Sequence, residues 1–319
     1  MSAPRIMVVG SYATGLTMKV ERLPSPGETL LGSGYRVDYG GKGSNQAVGC
    51  ARLGATVSFI ARVGCDSFGE MALNLYREEK IDAARVQSTA GSPTGVGFII
   101  VEAGSGHNCI TIDPGANEHL TPADVMEGDS ELDQSSVVLT QLEIPVPAAE
   151  AAMMRGRALG AITILNPAPV RHLPGSVLQT IDILTPNQTE AKVLTGHSPD
   201  AAISPEEVAR ELIRGGVRQV VMTLGEKGAL IVTDLYSKYI PAIKVRAADT
   251  TGAGDAFNAG LAVALGHKEN LEDAVRFAVV TGGLAVTKEG VIPSLPRRDD
   301  VLHYYREQQM IPPDWITRV

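Results

Sequence analysis

Short runs of apolar, often β-branched residues recur along this chain, and helix-like patterns separate nearly all of them. The first run is RIMVVG, and TVSFIARVG, AITILNP, IDILTPN and VRQVVMTLG follow. Continuous apolar runs of this length are typical of strands that are buried on both faces. One of the helical patterns, SPEEVARELIRGG, has Ser204 as the predicted N-cap, Pro205 at the first helical position and Glu207 three residues after the cap. The alternation predicts an α/β fold, a doubly wound and mainly parallel sheet flanked by helices.

Two stretches interrupt this alternation. Residues Gly27 to Gly40 and Thr94 to Gly115 have the pattern of antiparallel strands, with a hairpin turn near Gly104 to Gly106. We find no linker, internal repeat or low-complexity tract, and 319 residues fit one large α/β unit. We therefore predict a single domain over residues 1–319, with the two stretches forming a small second sheet.

Composition excludes several classes of protein. The net charge is −8, without a Lys/Arg-rich stripe, which argues against nucleic acid as a partner. No run of about eighteen apolar residues and no basic-then-apolar leader is present, so we expect neither a membrane protein nor a secreted one. The three cysteines include no CxxC pair and suit a reducing compartment. We expect a cytoplasmic protein.

Several common chemical motifs are absent. The segment GSYATG after the first strand lacks the middle glycine of a dinucleotide fingerprint, and no GxxxxGK[ST] loop occurs. The six histidines show no metal-binding spacing, and no GxSxG motif is present.

The segment AADTTGAGDAFNAG is the strongest candidate for a functional site. Backbone N–H groups of Gly252, Ala253 and Gly254 at a helix N-terminus can converge on an anion such as a phosphoryl group. Asp255 stands directly after them, where a carboxylate could take a proton from an attacking hydroxyl. The alternative is that Asp255 only favours the start of a helix.

A second glycine-rich segment, YGGKGSNQAVGCARLGA, also precedes a helical pattern. Its structural interpretation is close packing of a helix. Its functional interpretation is a polar cradle in which Lys42 and Asn45 meet a hydroxylated ligand. Two such segments in one α/β chain favour the functional interpretation of both.

Longer segments resemble a known family. GGKGSNQAVGCARLGATVSFIARVGCDSFG and DTTGAGDAFNAGLA resemble the two signatures of the PfkB carbohydrate kinase family, and LNPAPVRHLPGSVLQTIDILTPNQTEAKVLTG is similar to its ribokinase branch. The resemblance covers Val8 to Ser294. It implies a ribokinase-like fold in which residues from about 12–40 and 94–115 form a small β-sheet lid over the sugar. It also implies a homodimer formed through this lid.

The resemblance implies a role for each matching residue. Asp255 would be the catalytic base, and Gly252, Ala253 and Gly254 would form the anion hole. The other implied groups are a sugar site of Gly41, Lys42, Gly43, Asn45 and Glu143, and a site for ATP and Mg²⁺ of Asn187, Glu190, Thr223, Gly225 and Gly228. A potassium site would comprise Asp249, Thr251, Ala285, Lys288, Gly290 and Ser294, largely through backbone carbonyls.

The chain departs from the ribokinase pattern at the sugar site. Ala13 and Gly15 stand where that branch carries an Asn and the Asp that grips the ribose diol, which predicts weak ribose binding and leaves the identity of the sugar open. Asp38 and Asp113, two acids in the implied lid, are candidates to replace the missing carboxylate. Val279 replaces a residue that is often polar near adenine.

The resulting prediction is an ATP-dependent sugar kinase. It would use Mg²⁺ and K⁺ and transfer the γ-phosphoryl group to a primary hydroxyl of a pentose or related sugar, with Asp255 as general base. One alternative is a nucleoside kinase of the same superfamily. Another is a non-catalytic sugar or nucleotide sensor, which the altered GSYATG segment favours and the intact Asp255, Asn187 and Glu190 disfavour.

Overall fold

The computed structural model describes residues 3–105, 107–127 and 134–317. Its strands are, in chain order, β1 (Arg5–Val9), β2 (Ala13–Val20), β3 (Ser33–Gly40), β4 (Thr56–Gly64), β5 (Asp82–Thr89), β6 (Gly95–Glu102), β7 (Asn108–Asp113), β8 (Val137–Gln141), β9 (Ile162–Asn166), β10 (Ile183–Leu184), β11 (Gln219–Thr223), β12 (Ala229–Val232) and β13 (Ser237–Ile240). Within the described ranges, nine of them form one large sheet in the order β13-β12-β11-β10-β9-β8-β1-β4-β5. In this sheet order, each pair of neighbours among β11, β10, β9, β8, β1, β4 and β5 is parallel. Strands β12 and β13 add an antiparallel edge next to β11.

Helices cover both faces of the large sheet. They are α1 (Lys42–Arg52), α2 (Ser67–Glu78), α3 (Pro122–Met126), α4 (Val146–Ala158), α5 (Gly175–Leu178), α6 (Gln188–Leu194), α7 (Pro205–Arg214), α8 (Ala253–Gly266), α9 (Leu271–Ala285), α10 (Val291–Ser294), α11 (Arg298–Glu307) and α12 (Asp314–Thr317). The apolar residues of β1 divide between two cores, because successive side chains of a strand point to opposite faces. Ile6 and Val8 join a core with α1, α2, α8 and α9, whereas Met7 and Val9 join a core with α4, α6 and α7. This double burial explains the continuous apolar runs and confirms the predicted fold class.

The predicted start of α7 is confirmed. The Ser204 hydroxyl accepts a hydrogen bond from the Glu207 N–H, and the Glu207 carboxylate accepts one from the Ser204 N–H. No helix of the described residues is long and apolar enough to cross a membrane.

A separate sheet of four strands, here called the small sheet, has the order β3-β2-β6-β7. The predicted hairpin is confirmed for β6 and β7, while Gly106, predicted near its turn, lies outside the described residues. The strand in the first stretch is shorter than predicted, because β3 occupies only Ser33–Gly40. The pattern missed β2, which pairs antiparallel with β3 and parallel with β6.

Candidate active site

Helix α8 begins at the glycine-rich loop. Gly252 precedes it with φ of 81°, a conformation that residues with a side chain rarely adopt. A Cβ atom placed on Gly254 would meet no atom within 4 Å, so open space lies in front of the first turn. The Ala253 N–H donates to the Thr250 carbonyl at 3.3 Å. The other N–H groups of this helix N-terminus and its dipole favour an anion in that space.

The Asp255 carboxylate lies in this first turn and is only 5% exposed. Its two oxygens accept hydrogen bonds from amide groups of α1, Oδ1 from Gln46 Nε2 at 2.9 Å and Oδ2 from Asn45 Nδ2 at 2.8 Å. Burial raises the pKa of Asp255, and the charge of Lys42 and the two amide donors only partly offset that rise. The result is a fixed carboxylate that is more basic than an exposed one, as general-base chemistry requires.

Gln46 connects Asp255 to the large sheet. Its Nε2 also donates to Asn166 Oδ1 at 3.1 Å, and its Oε1 accepts from Gln141 Nε2 at 2.6 Å. Gln141 and Asn166 are the last residues of β8 and β9. Sequence reasoning missed Gln46, although a glutamine directly beside Asn45 in the second glycine-rich segment was an available signal.

The predicted sugar residues come together around the start of α1. Glu143 Oε2 accepts hydrogen bonds from the Lys42 N–H at 2.8 Å and from the Ser11 hydroxyl at 2.6 Å. The Gly43 N–H donates to the same hydroxyl at 3.3 Å. Ser11, which sequence reasoning also missed, therefore joins the ends of β1 and β8 to this helix.

Gly41 shows why glycine is needed at the entry to α1. Its φ is 86°, and a Cβ atom there would lie 2.6 Å from the Cα of Tyr12. The half-buried side chain of Lys42 follows, and its pKa is raised by the charge of Asp255 and, more weakly, by those of Glu143 and Glu190. The three carboxylates that raise the pKa of Lys42 come one from each of the predicted catalytic, sugar and nucleotide groups.

The predicted nucleotide residues lie beyond the carboxyl ends of β10 and β11. Asn187 caps α6, because its Oδ1 accepts from the Glu190 N–H while Glu190 Oε2 accepts from the Asn187 N–H, both at 2.8 Å. Asn187 also forms a parallel bridge with Thr223. Gly225 and Gly228 form the following turn with φ of 60° and 104°. Burial raises the pKa of Glu190, opposed by its bond to Asn187 and by Lys42.

Three of the predicted potassium ligands are joined by hydrogen bonds. Asp249 Oδ1 accepts from the Thr251 N–H at 2.9 Å and from its hydroxyl at 2.7 Å, and Asp249 Oδ2 accepts from the Gly290 N–H at 3.1 Å. Ala285 ends α9, and the Lys288 side chain lies 3.6 Å from Asp300. Ser294 ends α10 and its hydroxyl donates to the Val291 carbonyl.

The described ranges contain no group of three or more His, Cys, Asp or Glu side chains that could hold a metal ion. Bound cations would therefore need backbone carbonyls, phosphate oxygens or water as further ligands.

The residues at which the chain departs from the ribokinase pattern lie in two places, and both candidate acids lie in the small sheet. Ala13 and Gly15 begin β2, and Gly15 is directly paired with Asp38 of β3. Asp113 ends β7, where it accepts a hydrogen bond from the Gly115 N–H. Val279 is buried on α9 and borders a cavity of about 580 Å³.

A helix start that can bind an anion, beside a buried carboxylate at the carboxyl edge of a parallel sheet, is the arrangement of an α/β enzyme that can move a charged group. Residues 3–298 match the model of the pfkB family carbohydrate kinases. The chain therefore belongs to the pfkB carbohydrate kinase family and is a kinase, as the resemblance predicts.

Individual relatives match over nearly their whole length. The ribokinase of Haemophilus influenzae is 38% identical over 299 residues, 94% of this chain and 97% of the relative. The structure of ribokinase from Thermotoga maritima has a TM-score of 0.86 at 34% identity and covers 94% of this chain and 99% of its own. The structure of Arabidopsis thaliana ribokinase complexed with ribose and ATP has a TM-score of 0.86 at 31% identity, with coverage of 95% and 98%. The predicted ribokinase-like fold is thereby confirmed, whereas the single domain and the role of each site residue stay predictions.

Proposed function

We propose that this kinase transfers the γ-phosphoryl group of ATP to a primary hydroxyl of a pentose or related sugar, with Asp255 as general base. The observation that carries the proposal is the buried Asp255 carboxylate in the first turn of α8, held by the amides of Asn45 and Gln46. The names of the relatives support the substrate class, because they are ribokinases and the Arabidopsis thaliana structure is complexed with ribose and ATP.

The chemistry follows from the position of the carboxylate. Asp255 accepts the hydroxyl proton as the sugar oxygen forms a bond to the γ-phosphorus, and the bond from that phosphorus to the bridging oxygen of ADP breaks. Negative charge develops on the transferred phosphoryl group, where the N–H groups of residues 252–254 can stabilise it. Because burial raises the pKa of Asp255, its carboxylate is a better proton acceptor than an exposed one.

ATP and Mg²⁺ fit the residues at the neighbouring strand ends. Gly225 and Gly228 carry no side chain in this turn, and a Cβ atom at Gly225 would meet nothing within 4 Å, so a nucleotide can approach the backbone at Gly225. Bound Mg²⁺ would supply positive charge to the phosphates, and one nearby carboxylate suffices, because Mg²⁺ keeps water and phosphate oxygens as ligands. Glu190, with Asn187 beside it, is that carboxylate.

We also propose a potassium ion at Asp249, Thr251, Ala285, Lys288, Gly290 and Ser294, where it would fix the shape of the anion-binding loop. The hydrogen bonds that already gather Asp249, Thr251 and Gly290 support this site. If the ion acts there, activity should rise with K⁺ and not with Li⁺.

The small sheet would serve as the lid over the sugar and as the contact of a homodimer. Exposed apolar side chains on both of its faces support a protein contact, with Phe98 on one face and Ile110 and Ile112 on the other. The three free cysteines support the cytoplasm as the compartment.

Asp255→Asn tests the proposed reaction. We expect kcat to fall by about a hundredfold or more, measured as ADP release with a panel of pentoses, ketoses, adenosine and inosine. The fold should survive, because Asn45 Oδ1 has no hydrogen-bond partner among the residues that the structure describes, and the Asn45 amide can turn to accept from the new NH₂ group. Asp113→Asn, at an exposed acid, is the matched control. A near-normal rate in Asp255→Asn would contradict the assignment, and a preference for nucleosides would replace the proposed substrate class.

A further inference from the structure

One face of the small sheet, here called the cleft face, carries Ala13, Gly15 and Thr17 of β2. Directly paired residues share a face of a sheet, and side chains alternate along each strand. The register therefore adds Gly40, Asp38 and Arg36 from β3, and Gly95, Gly97 and Ile99 from β6.

The opposite face packs toward α2. Tyr39 lies on that face and packs against the core that contains Tyr12 and Tyr76. Thr14, which pairs with Tyr39, donates a hydrogen bond to the Tyr12 hydroxyl at 3.3 Å, and the rings of Tyr12 and Tyr76 meet edge to face at 6.3 Å. The cleft face therefore points away from the rings of Tyr12 and Tyr76.

Charge supports this orientation. Arg36 is on the cleft face, and its charge contributes to the lowered pKa of Asp249, where burial alone would raise it and bonds from Thr251 and Gly290 lower it. Strand β3 also contacts α10, which follows Gly290. The cleft face thus borders the loop that leads into Gly252 and Asp255.

The cleft face has room for a ligand beside Asp38. A Cβ atom on Gly97 would meet nothing within 4 Å, and one on Gly15 would make only ordinary contacts, the nearest at 3.7 Å from the Asp38 carbonyl oxygen and from the Ile99 Cδ1. Two neighbouring glycines therefore form an open shelf next to the Asp38 side chain. That side chain is 38% exposed and lies 3.5 Å from the Arg36 guanidinium.

Asp113 does not share this position. It pairs with Val96, which pairs with Thr14, so the register places Asp113 on the face opposite to Gly15. Its carboxylate also accepts the Gly115 N–H at 3.0 Å. Of the two candidate acids, only Asp38 lies on the cleft face.

We propose that Asp38 is the specificity-determining carboxylate of the sugar site and accepts hydrogen bonds from two adjacent hydroxyls, with Arg36 as its positioning residue. The inference rests on the proposed sugar kinase function. A carboxylate with two acceptor oxygens suits a neutral ligand with a vicinal diol. The shelf at Gly15 and Gly97 gives the sugar ring access to it.

Asp38→Ala and Asp38→Asn test the proposal on the full-length protein. We expect the KM of the preferred sugar to rise by about tenfold or more, as expected for a lost charge-assisted hydrogen bond, while the KM of ATP stays unchanged and kcat changes by less than about threefold. Asp113→Ala is the matched control and should leave all three values unchanged.

A relocated carboxylate provides a second test. Gly15 does not have a positive φ, so Asp can be introduced there without backbone strain, directly across from position 38. In Asp38→Ala/Gly15→Asp we expect the KM of the sugar to return toward that of the unmodified protein. Absence of rescue would show that the loss in Asp38→Ala is not the loss of a carboxylate on this face.

The outcomes separate the two proposals. If the unmodified protein phosphorylates none of the sugars, the proposed function is wrong. If it phosphorylates a sugar and Asp38→Asn, folded by thermal melting, keeps the same KM, the role of Asp38 is wrong while the function stands. A loss confined to kcat would also overturn the role of Asp38.

Discussion

Replacing Gln46 by Leu should change the acidity of the proposed base. Gln46 is completely buried, and its Nε2 donates to Asp255 Oδ1 at 2.9 Å. A hydrogen bond to a charged group contributes about 1.5–3 kcal/mol, and one pKa unit corresponds to about 1.36 kcal/mol. Loss of this donor disfavours the ionised form, so the pKa of Asp255 in the variant should rise by about one to two units.

The pH dependence of kcat/KM is the appropriate assay. Asp255 must be ionised to accept the sugar proton, so the acid limb of the profile should move to higher pH by the same one to two units, about 1.5–3 kcal/mol. Gln141→Leu is the matched control, because Gln141 Nε2 donates to Gln46 and to no carboxylate. An unchanged acid limb in Gln46→Leu would refute the reasoning.

Stability should change in a way that depends on pH. Gln46→Leu removes the hydrogen-bond partner of Gln141 Nε2 and of Asn166 Oδ1. Each loss should lower the free energy of unfolding by about 1–3 kcal/mol. The folded-state pKa of Asp255 is already above its unfolded value, so its burial destabilises the protein as pH rises through that range. A further rise of the pKa of Asp255 in the variant extends this pH range upward. The free energy of unfolding, measured with urea, should therefore fall further below that of the unmodified protein at neutral pH than near pH 4, which is about the ordinary pKa of Asp.

Three further substitutions test other parts of the structure. Gly252→Ala should lower the free energy of unfolding by about 1–2 kcal/mol and reduce kcat, because the φ of Gly252 is 81° and the new Cβ would lie 2.7 Å from the Val291 side chain. Unchanged values would argue against a strained loop. Arg52→Met should cost about 3 kcal/mol in urea unfolding, because Arg52 and Glu79 are each only 9% exposed; a loss below about 1 kcal/mol would mean the pair contributes little. Ser204→Ala should cost about 1 kcal/mol by loss of the α7 cap while all kinetic constants stay unchanged, and a changed kcat would contradict a purely local effect.

The large sheet was predictable because its physical signals are local. Strands buried on both faces must be apolar throughout, and the cap of α7 needs only Ser204 and Glu207 three residues apart. Strand β2 was not predictable in this way. It contains Gly15 and alternating polar residues, and its parallel partner β6 lies about eighty residues away in the chain, so only the folded register shows the pairing.

The glycine-rich loop before α8 could be recognised from the sequence, because glycines at a helix start are typical of anion-binding sites. What the sequence did not reveal is how the carboxylate is held. Gln46 meets Gln141 and Asn166 only because two parallel strands end at the same edge of the sheet, although nearly a hundred residues separate Gln46 from Gln141. The face of Asp38 likewise depends on a register that a single sequence does not fix.

Packing and chemistry were opposing interpretations of the glycine-rich start of α1, and the structure shows why they are compatible. A Cβ atom on Gly49 would lie 2.7 Å from the Cβ of Ala259, so this glycine allows α1 and α8 to pack closely. That close packing brings Asn45 and Gln46 within hydrogen-bonding distance of Asp255. Since the hydrogen-bond lengths depend on the separation of the two helices, a larger residue at position 49 would weaken the hold on Asp255 from about one helical turn away, without touching the sugar site.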